Sequence, residues 1–296
     1  MTQVSTAPAI SFEFFPPKTP AATANLWTSV ERLAPLGPKF VSVTYGAGGT
    51  TRERTIAAIQ AIRDRVGLDV AGHLTCVGAT EAETLDVARA YAKLGCRRIV
   101  ALRGDPPKGE GRFTRHPGGF GSAVDLIAGL ARAGWREIAV GAYPETHPEA
   151  ASPEADIDNL KRKLDAGGTC AITQFFFDNA DFLRFRDRAV RAGVAAPIIP
   201  GILPIENFAK MKRFAEGCGA GVPGWLETAF SNAEAQGAAE LLAISIAAEQ
   251  CADLVAEGVE HLHLYTLNNP DLPYQVCRAI GVEPVPMRVA AAGGCA

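Results

Sequence analysis

The feature that most constrains this chain is a repeated change of hydrophobic period. Short runs rich in β-branched and apolar residues are each followed by a longer stretch whose apolar residues recur at spacings of three and four. The short runs are Ile10 to Phe14, Phe40 to Thr44, Val70 to Thr75, Arg98 to Leu102, Ile138 to Ala142, Cys170 to Phe175, Ile198 to Ile202 and Glu260 to Tyr265, eight in all. Helical patterns lie between them at Arg52 to Arg65, Ala82 to Leu94, Ser122 to Ala133, Pro153 to Ala166, Asp181 to Ala192 and Gln236 to Glu257. A strand that reaches its neighbour through a helix must run parallel to it, and eight such units close on themselves. The expectation is an α/β chain, a (β/α)8 TIM barrel formed as a single domain over residues 1–296, with an extra short helix at Trp225 to Phe230 before the last long helix.

The punctuation agrees with this reading. Ser152-Pro153-Glu154 reads as a capped helix start, and Gly95, Gly193 and Gly217 follow helical runs. The irregular stretches are Gly104 to Gly121 and Gly217 to Gly224, and loops of that length usually carry function. No Pro/Ser-rich linker or low-complexity segment divides the chain.

Charge narrows the partners. The net charge is −3 with Lys and Arg scattered, so there is no footprint for nucleic acid or for an anionic membrane. The seven cysteines include no C-x-x-C pair, which fits reduced, packed thiols in a cytoplasmic compartment. Met1 to Pro8 lacks the pattern of a secretory leader, and no apolar run approaches membrane-spanning length.

Glu13 interrupts the apolar run Ile10-Ser11-Phe12-Glu13-Phe14-Phe15. Burying a carboxylate costs several kcal/mol unless it is partnered or used. Alternation puts Ser11 and Glu13 on one face and Phe12 and Phe14 on the other. Either this is an edge strand with Glu13 in water, or Glu13 is a working group. In barrels of this kind the active site lies at the C-terminal strand ends. Those ends carry Glu13, Thr44-Tyr45-Gly46-Ala47, His73, Arg103-Gly104-Asp105, Tyr143 to His147, and Gln174. Taken singly, Arg103 and Asp105 could pair with each other, and His73 could be a hydrogen-bonded core histidine. Together they favour a polar organic ligand.

Sharper motifs do not hold. Thr51 stands where a dinucleotide fingerprint after Gly46 and Gly48 would need its third glycine, and no lysine follows as a phosphate loop requires. His261 and His263 share a strand face as a metal pair would, with no third ligand nearby in sequence. On the helix after Ser152, Asp156, Asn159 and Lys163 form a polar stripe beside Ile157, Leu160 and Leu164. That stripe is either a solvated flank or the border of a long ligand reaching over the rim.

Nine segments extend these observations. They are Phe12 to Pro17, Ser42 to Gly49, His73 to Cys76, Leu102 to Pro107, Tyr143 to Glu145, Asp165 to Gly167, Ile172 to Asp178, Pro200 to Pro204 and Leu264 to Asn268. In this order the chain resembles the bacterial methylenetetrahydrofolate reductase family from end to end. The resemblance implies a cytoplasmic flavoprotein that binds FAD and reduces 5,10-methylenetetrahydrofolate with NADH or NADPH, assembled as a dimer or tetramer, without nucleic acid or membrane partners. It implies Glu13 as the general acid, its pKa raised by Phe12, Phe14 and Phe15, and Asp105 as a carboxylate near flavin and pterin. Gln174 would bind the pterin, and Phe214 would pack on nicotinamide or folate. FAD binding carries over to Thr44, Tyr45, Ala47, His73, Arg103, Gly104, Asp105, Tyr143, His147, Asp156, Asn159, Arg162 and Lys163. Lys210 and Asn269 depart from the enterobacterial pattern, and Lys210 would serve the carboxylates of the folate tail. The alternatives are a flavin-free relative passing hydride directly from NADH, and a folate-binding protein without turnover.

Overall fold

The computed structural model describes residues 7–46, 51–105 and 113–285. The strands are β1 (Ala9–Phe14), β2 (Phe40–Val43), β3 (Val70–Thr75), β4 (Arg98–Leu102), β5 (Glu137–Ala142), β6 (Cys170–Phe175), β7 (Ile198–Ile202) and β8 (His261–Tyr265). They pair in sequence order, all parallel, and β8 returns to β1, so the barrel is closed. Closure leaves no edge strand, which removes the reading that put Glu13 in water at an edge.

The helices are α1 (Pro20–Leu33), α2 (Arg52–Val66), α3 (Glu81–Lys93), α4 (Ala123–Arg132), α5 (Pro153–Asp165), α6 (Asn179–Arg191), α7 (Phe208–Cys218), α8 (Gly224–Ala235), α9 (Ala239–Ala256) and α10 (Asp271–Ala279). Side-chain caps start most of them. Thr80 and Glu83 form a reciprocal capping box on α3, and Ser152 accepts from Ala155 N–H ahead of Pro153 on α5. The boundary expected at Gly217 is displaced. α7 runs through Gly217 and ends at Gly219, whose φ of 72° is left-handed. The long helix expected from Gln236 is a single element that starts three residues later, α9 at Ala239, after a break that separates it from α8. The helix foreseen at Trp225 to Phe230 is longer than expected, running from Gly224 to Ala235.

Alternation divides the core into two layers. Phe12, Phe14, Val41, Leu74, Ile99 and Val140 face outward and pack beneath the helices. Phe40, Ala71, Val100, Ala139, Cys170, Ile172 and Ile199 fill the barrel interior. α9 packs between α6 and α10 and so takes the ring position between β7 and β8. α7 and α8 instead belong to a separate apolar cluster, with Phe208, Met211, Leu226 and Phe230 packed against Phe175 and Tyr265. The loop that follows α7 reaches the segment after β5, where Gly221 N–H donates to Glu145 at 2.8 Å. This insertion thus builds one wall above the C-terminal end of the barrel. Among the described residues no helix is long and apolar enough to cross a membrane. The six described cysteines are free thiols, five of them buried.

Candidate active site

Above the apolar interior the inward-facing side chains become polar. Glu13 is in register with Ser42 on β2 and Tyr265 on β8. Its side chain keeps only 13 % exposure, and His73 Nε2 approaches its Oε2 at 3.2 Å and His263 Nε2 at 3.7 Å. Burial pushes the carboxyl up, but the two imidazoles outweigh it and hold the pKa down to about 2. This reverses the expectation of a raised pKa. Phe12 and Phe14 point away into the outer core and Phe15 lies 39 % exposed, so the chain neighbours do not surround Glu13.

The same face extends down the barrel. Ser11 Oγ lies 2.7 Å from His263 Nδ1 and 3.0 Å from His261 Nε2. Phe40 stacks on His263 and meets His261 edge-on, at centroid distances of 5.9 and 5.8 Å. The two histidines therefore share a hydroxyl. Among the described residues no group of three or more His, Cys, Asp or Glu is arranged to hold a metal.

The segments after β4 and β5 form the opposite rim. Arg103 does not pair with Asp105; its guanidinium makes a bidentate pair with Glu149, at 2.5 and 3.1 Å. Gly104 adopts φ 88°, and a Cβ there would lie 2.6 Å from Val77, so this turn passes close over the β3 end. Asp105 is exposed, and its charge reaches Tyr143, whose phenol burial pushes up to about 12. Tyr143 packs edge-on against His147 at 4.5 Å. Burial draws the His147 pKa down, with Asp156 opposing.

The stripe on α5 is not a solvated flank throughout. Asp156 and Lys163 are buried. Asp156 Oδ2 accepts from His147 N–H at 2.8 Å, and Lys163 Nζ donates to the carbonyl of Gly141. Burial pulls Lys163 down to about 8, with Asp156 opposing. These two residues hold the β5 loop from behind. Asn159 accepts from Arg162 at 3.4 Å, and Arg162 is exposed.

Across the mouth, Gln174 Oε1 accepts from Phe175 N–H at 3.1 Å. The β6/β7 register shifts here, and Thr173 Oγ1 accepts from Gly201 N–H at 2.9 Å in place of a ladder bond. Phe214 on α7 is 44 % exposed and stacks on Phe175 at 5.4 Å, so it is no core aromatic. Lys210 is exposed one turn before it. Asn269 Oδ1 accepts from Asp271 N–H at 3.2 Å at the start of α10. Thr44 O accepts from Thr55 at 3.0 Å, and Tyr45 packs on the core. Ala47 lies outside the described residues.

Sequence reasoning missed Ser11, His263, Tyr265, Thr266 and Asn268 as parts of the site. Tyr265 donates to Thr173 O at 2.7 Å, and Thr266 Oγ1 donates to the carbonyl of Glu13 at 2.6 Å. A signal was available. Ser11 shares Glu13's face, His263 shares a face with Tyr265, and barrel closure makes β1 and β8 neighbours.

A closed parallel barrel with a partly enclosed carboxylate and imidazoles at its C-terminal mouth defines the class: a (β/α)8-barrel enzyme acting on a small polar molecule. The chain belongs to the methylenetetrahydrofolate reductase family, whose profile matches residues 2–281. It is 47 % identical over 279 residues to the 5,10-methylenetetrahydrofolate reductase of Salmonella typhimurium and 48 % identical over 276 to that of Escherichia coli, covering 93 % of this chain and 91 % of each relative. A probable methylenetetrahydrofolate reductase (NADH) of Oryza sativa is 36 % identical over 271 residues, 87 % of this chain and 46 % of that one. Among solved structures, a Clostridium thermocellum protein that binds 5-methyl-5,6,7,8-tetrahydrofolic acid shares the fold, with TM-score 0.62, 16 % identity and coverage of 93 % and 95 %. The chain is accordingly an oxidoreductase of folate one-carbon metabolism that reduces 5,10-methylenetetrahydrofolate.

Proposed function

We propose that this reductase uses FAD with NADH or NADPH, and that Glu13 governs protonation of the folate. The observation that carries the second part is the contact of Glu13 with His73 and His263 at the mouth. Opening the five-membered ring of the substrate to an iminium requires a proton on the departing nitrogen. In the free protein Glu13 is a carboxylate. A pterin covering the mouth strips away its remaining solvent and strengthens burial, already the largest single influence on its pKa, which favours the neutral acid. Asp105, exposed on the rim, offsets the positive charge of the iminium. Gln174 orients the pterin through its amide, and Phe214 supplies an apolar face. Lys210 attracts the tail carboxylates.

The donor set fits an extended polar cofactor. Thr75 Oγ1 is buried at the end of β3 without a hydrogen-bond partner among the described residues, and Arg103 presents a cation at the same rim. FAD would be held by the residues after β2 to β5, from Thr44 and Tyr45 through Arg103 to Tyr143 and His147, with Asp156 and Lys163 fixing that last loop. When bound, FAD supplies a two-electron carrier between nicotinamide and folate. The NADH in the rice relative's name supports a nicotinamide reductant.

The test is the visible spectrum of the purified protein followed by anaerobic 5-methyltetrahydrofolate, in the native protein and in Glu13→Gln. A flavin spectrum that bleaches in the native protein, and fails to bleach in the variant although NADH still bleaches it, is the expected result. A colourless protein that takes up no FAD yet interconverts the folates with NADH would replace the flavin reading with direct hydride transfer. Equal bleaching by folate in Glu13→Gln would remove Glu13 from the chemistry.

A further inference from the structure

Four polar side chains form a line along the barrel axis. Glu13 stands at the mouth, His263 and Ser11 are completely buried, and His261, at the first position of β8, is half-buried at the N-terminal end. The contacts run His261 Nε2 to Ser11 Oγ at 3.0 Å, Ser11 Oγ to His263 Nδ1 at 2.7 Å, and His263 Nε2 to Glu13 Oε2 at 3.7 Å. Phe40 lies against both imidazoles, with Ala71, Val100 and Ile199 beyond it, while Ser42 beside Glu13 and Arg98 over the Phe40 ring are further polar groups of the interior. A continuous line of exchangeable groups through a buried interior is costly unless it is used.

We infer that His261 is the solvent end of a proton path through the barrel, by which Glu13 is reprotonated from the N-terminal face while substrate covers the mouth. The inference rests on Glu13 as the proton donor. One proton enters and one arrives. His263 gives its Nε2 proton to the Glu13 carboxylate and takes the Ser11 hydroxyl proton at Nδ1. Ser11 takes the Nε2 proton of His261, and His261 takes a solvent proton at Nδ1. Rotation of the Glu13 carboxyl closes the 3.7 Å gap, and rotation of the hydroxyl with reversal of the tautomers resets the line.

The surroundings keep His261, the outer group of the line, neutral at rest. The charged groups facing His261 are Lys39 ahead of β2 and Arg98 on β4, with the titratable His263 on its own strand, while Glu137 on β5 pairs with Arg98. Burial, reinforced by the neighbouring His263, Lys39 and Arg98, draws the His261 pKa down to about 3, so the ring passes a proton without storing one.

The test uses the holoenzyme with His261→Phe and His261→Ala, measuring single-turnover folate reduction at saturating folate, its pH profile, and thermal stability. Expected are a fall in the reduction rate of at least tenfold in both variants, an unchanged KM for folate, and recovery in His261→Ala on adding imidazole, which reaches the vacated end from solvent. Native rates and an unchanged pH profile in both variants would overturn the path. So would a slow His261→Ala that imidazole does not rescue, which would make His261 a packing residue. Loss of folate reduction in Glu13→Gln alongside full activity in His261→Phe would sink the path and leave the donor role of Glu13 standing.

Discussion

Asn268 grips both backbone groups of Phe15: its Oδ1 accepts the Phe15 N–H at 2.8 Å and its Nδ2 donates to the Phe15 carbonyl at 3.0 Å. Two residues earlier, Thr266 Oγ1 and N–H both reach the carbonyl of Glu13. The segment after β8 therefore continues the β1/β8 ladder with side chains and fixes the backbone on each side of Phe14. To do so it holds Leu267 and Asn268 in the left-handed region, at φ 49° and 57°.

Asn268→Ala removes both bonds and leaves a residue poorly suited to that backbone. A loss of about 1–3 kcal/mol is expected by denaturation. Asn268→Gly relieves the backbone but not the grip, so its stability should recover in part while kcat stays low. Full kcat in Asn268→Gly would show that the placement of Glu13 does not depend on Asn268.

Glu13 gives the protein an acid-dependent increment of stability. Its folded pKa, about 2, lies below the ordinary 4.5, because the histidines outweigh burial. The increment is fully present above about pH 4.5 and is lost as the pH falls toward 2. It amounts to roughly 3 kcal/mol, and denaturant titrations of native protein and Glu13→Gln should diverge across that window. Parallel curves would contradict the ion-pair assignment.

Lys163 brings a cost in place of an increment, at the other end of the scale. Burial lowers its folded pKa from 10.5 to about 8, so between these values the unfolded chain binds the extra proton and stability rises with pH. The cost is fully present below about pH 8. The native protein should gain on the order of 3 kcal/mol relative to Lys163→Met between pH 8 and 10.5. The gain is read from paired unfolding curves, and a difference independent of pH would mean that the ammonium is solvated.

Gly201 has no room for a methyl group. A Cβ there would sit 2.3 Å from the Thr173 carbonyl oxygen and 2.6 Å from the Tyr265 ring. The carbonyl is backbone and cannot yield cheaply, so Gly201→Ala should lose about 1–3 kcal/mol and displace Tyr265 from the mouth. Thermal unfolding together with folate affinity checks both effects; a native melting temperature would show that the β6/β7 register can shift.

The eight strands were legible from the chain almost to the residue, because strand and helix differ in period and each strand is too short to be anything else. The helices around α8 were less so. Gly217 looks like a stop in sequence, yet α7 passes through it to Cys218, since a glycine within a helix costs only about 1 kcal/mol and the left-handed turn falls at Gly219. The site was legible as a set of polar residues at strand ends, and the family as an ordered set of motifs.

Partnership was not legible, because partners come from strands far apart in the chain. By itself the sequence determined the barrel, the positions of Glu13, His73, Arg103, Tyr143 and Gln174 at its mouth, and the reductase family. Only the tertiary structure decided that Arg103 answers Glu149 and not Asp105, that Asp156 and Lys163 work from inside the wall, and that Glu13 is an ionised carboxylate. The reason is physical. Periodicity reports which way a side chain points, whereas its charge state depends on which groups closure of the barrel brings within a few ångströms. For Glu13 those are two histidines, 60 and 250 residues away in sequence.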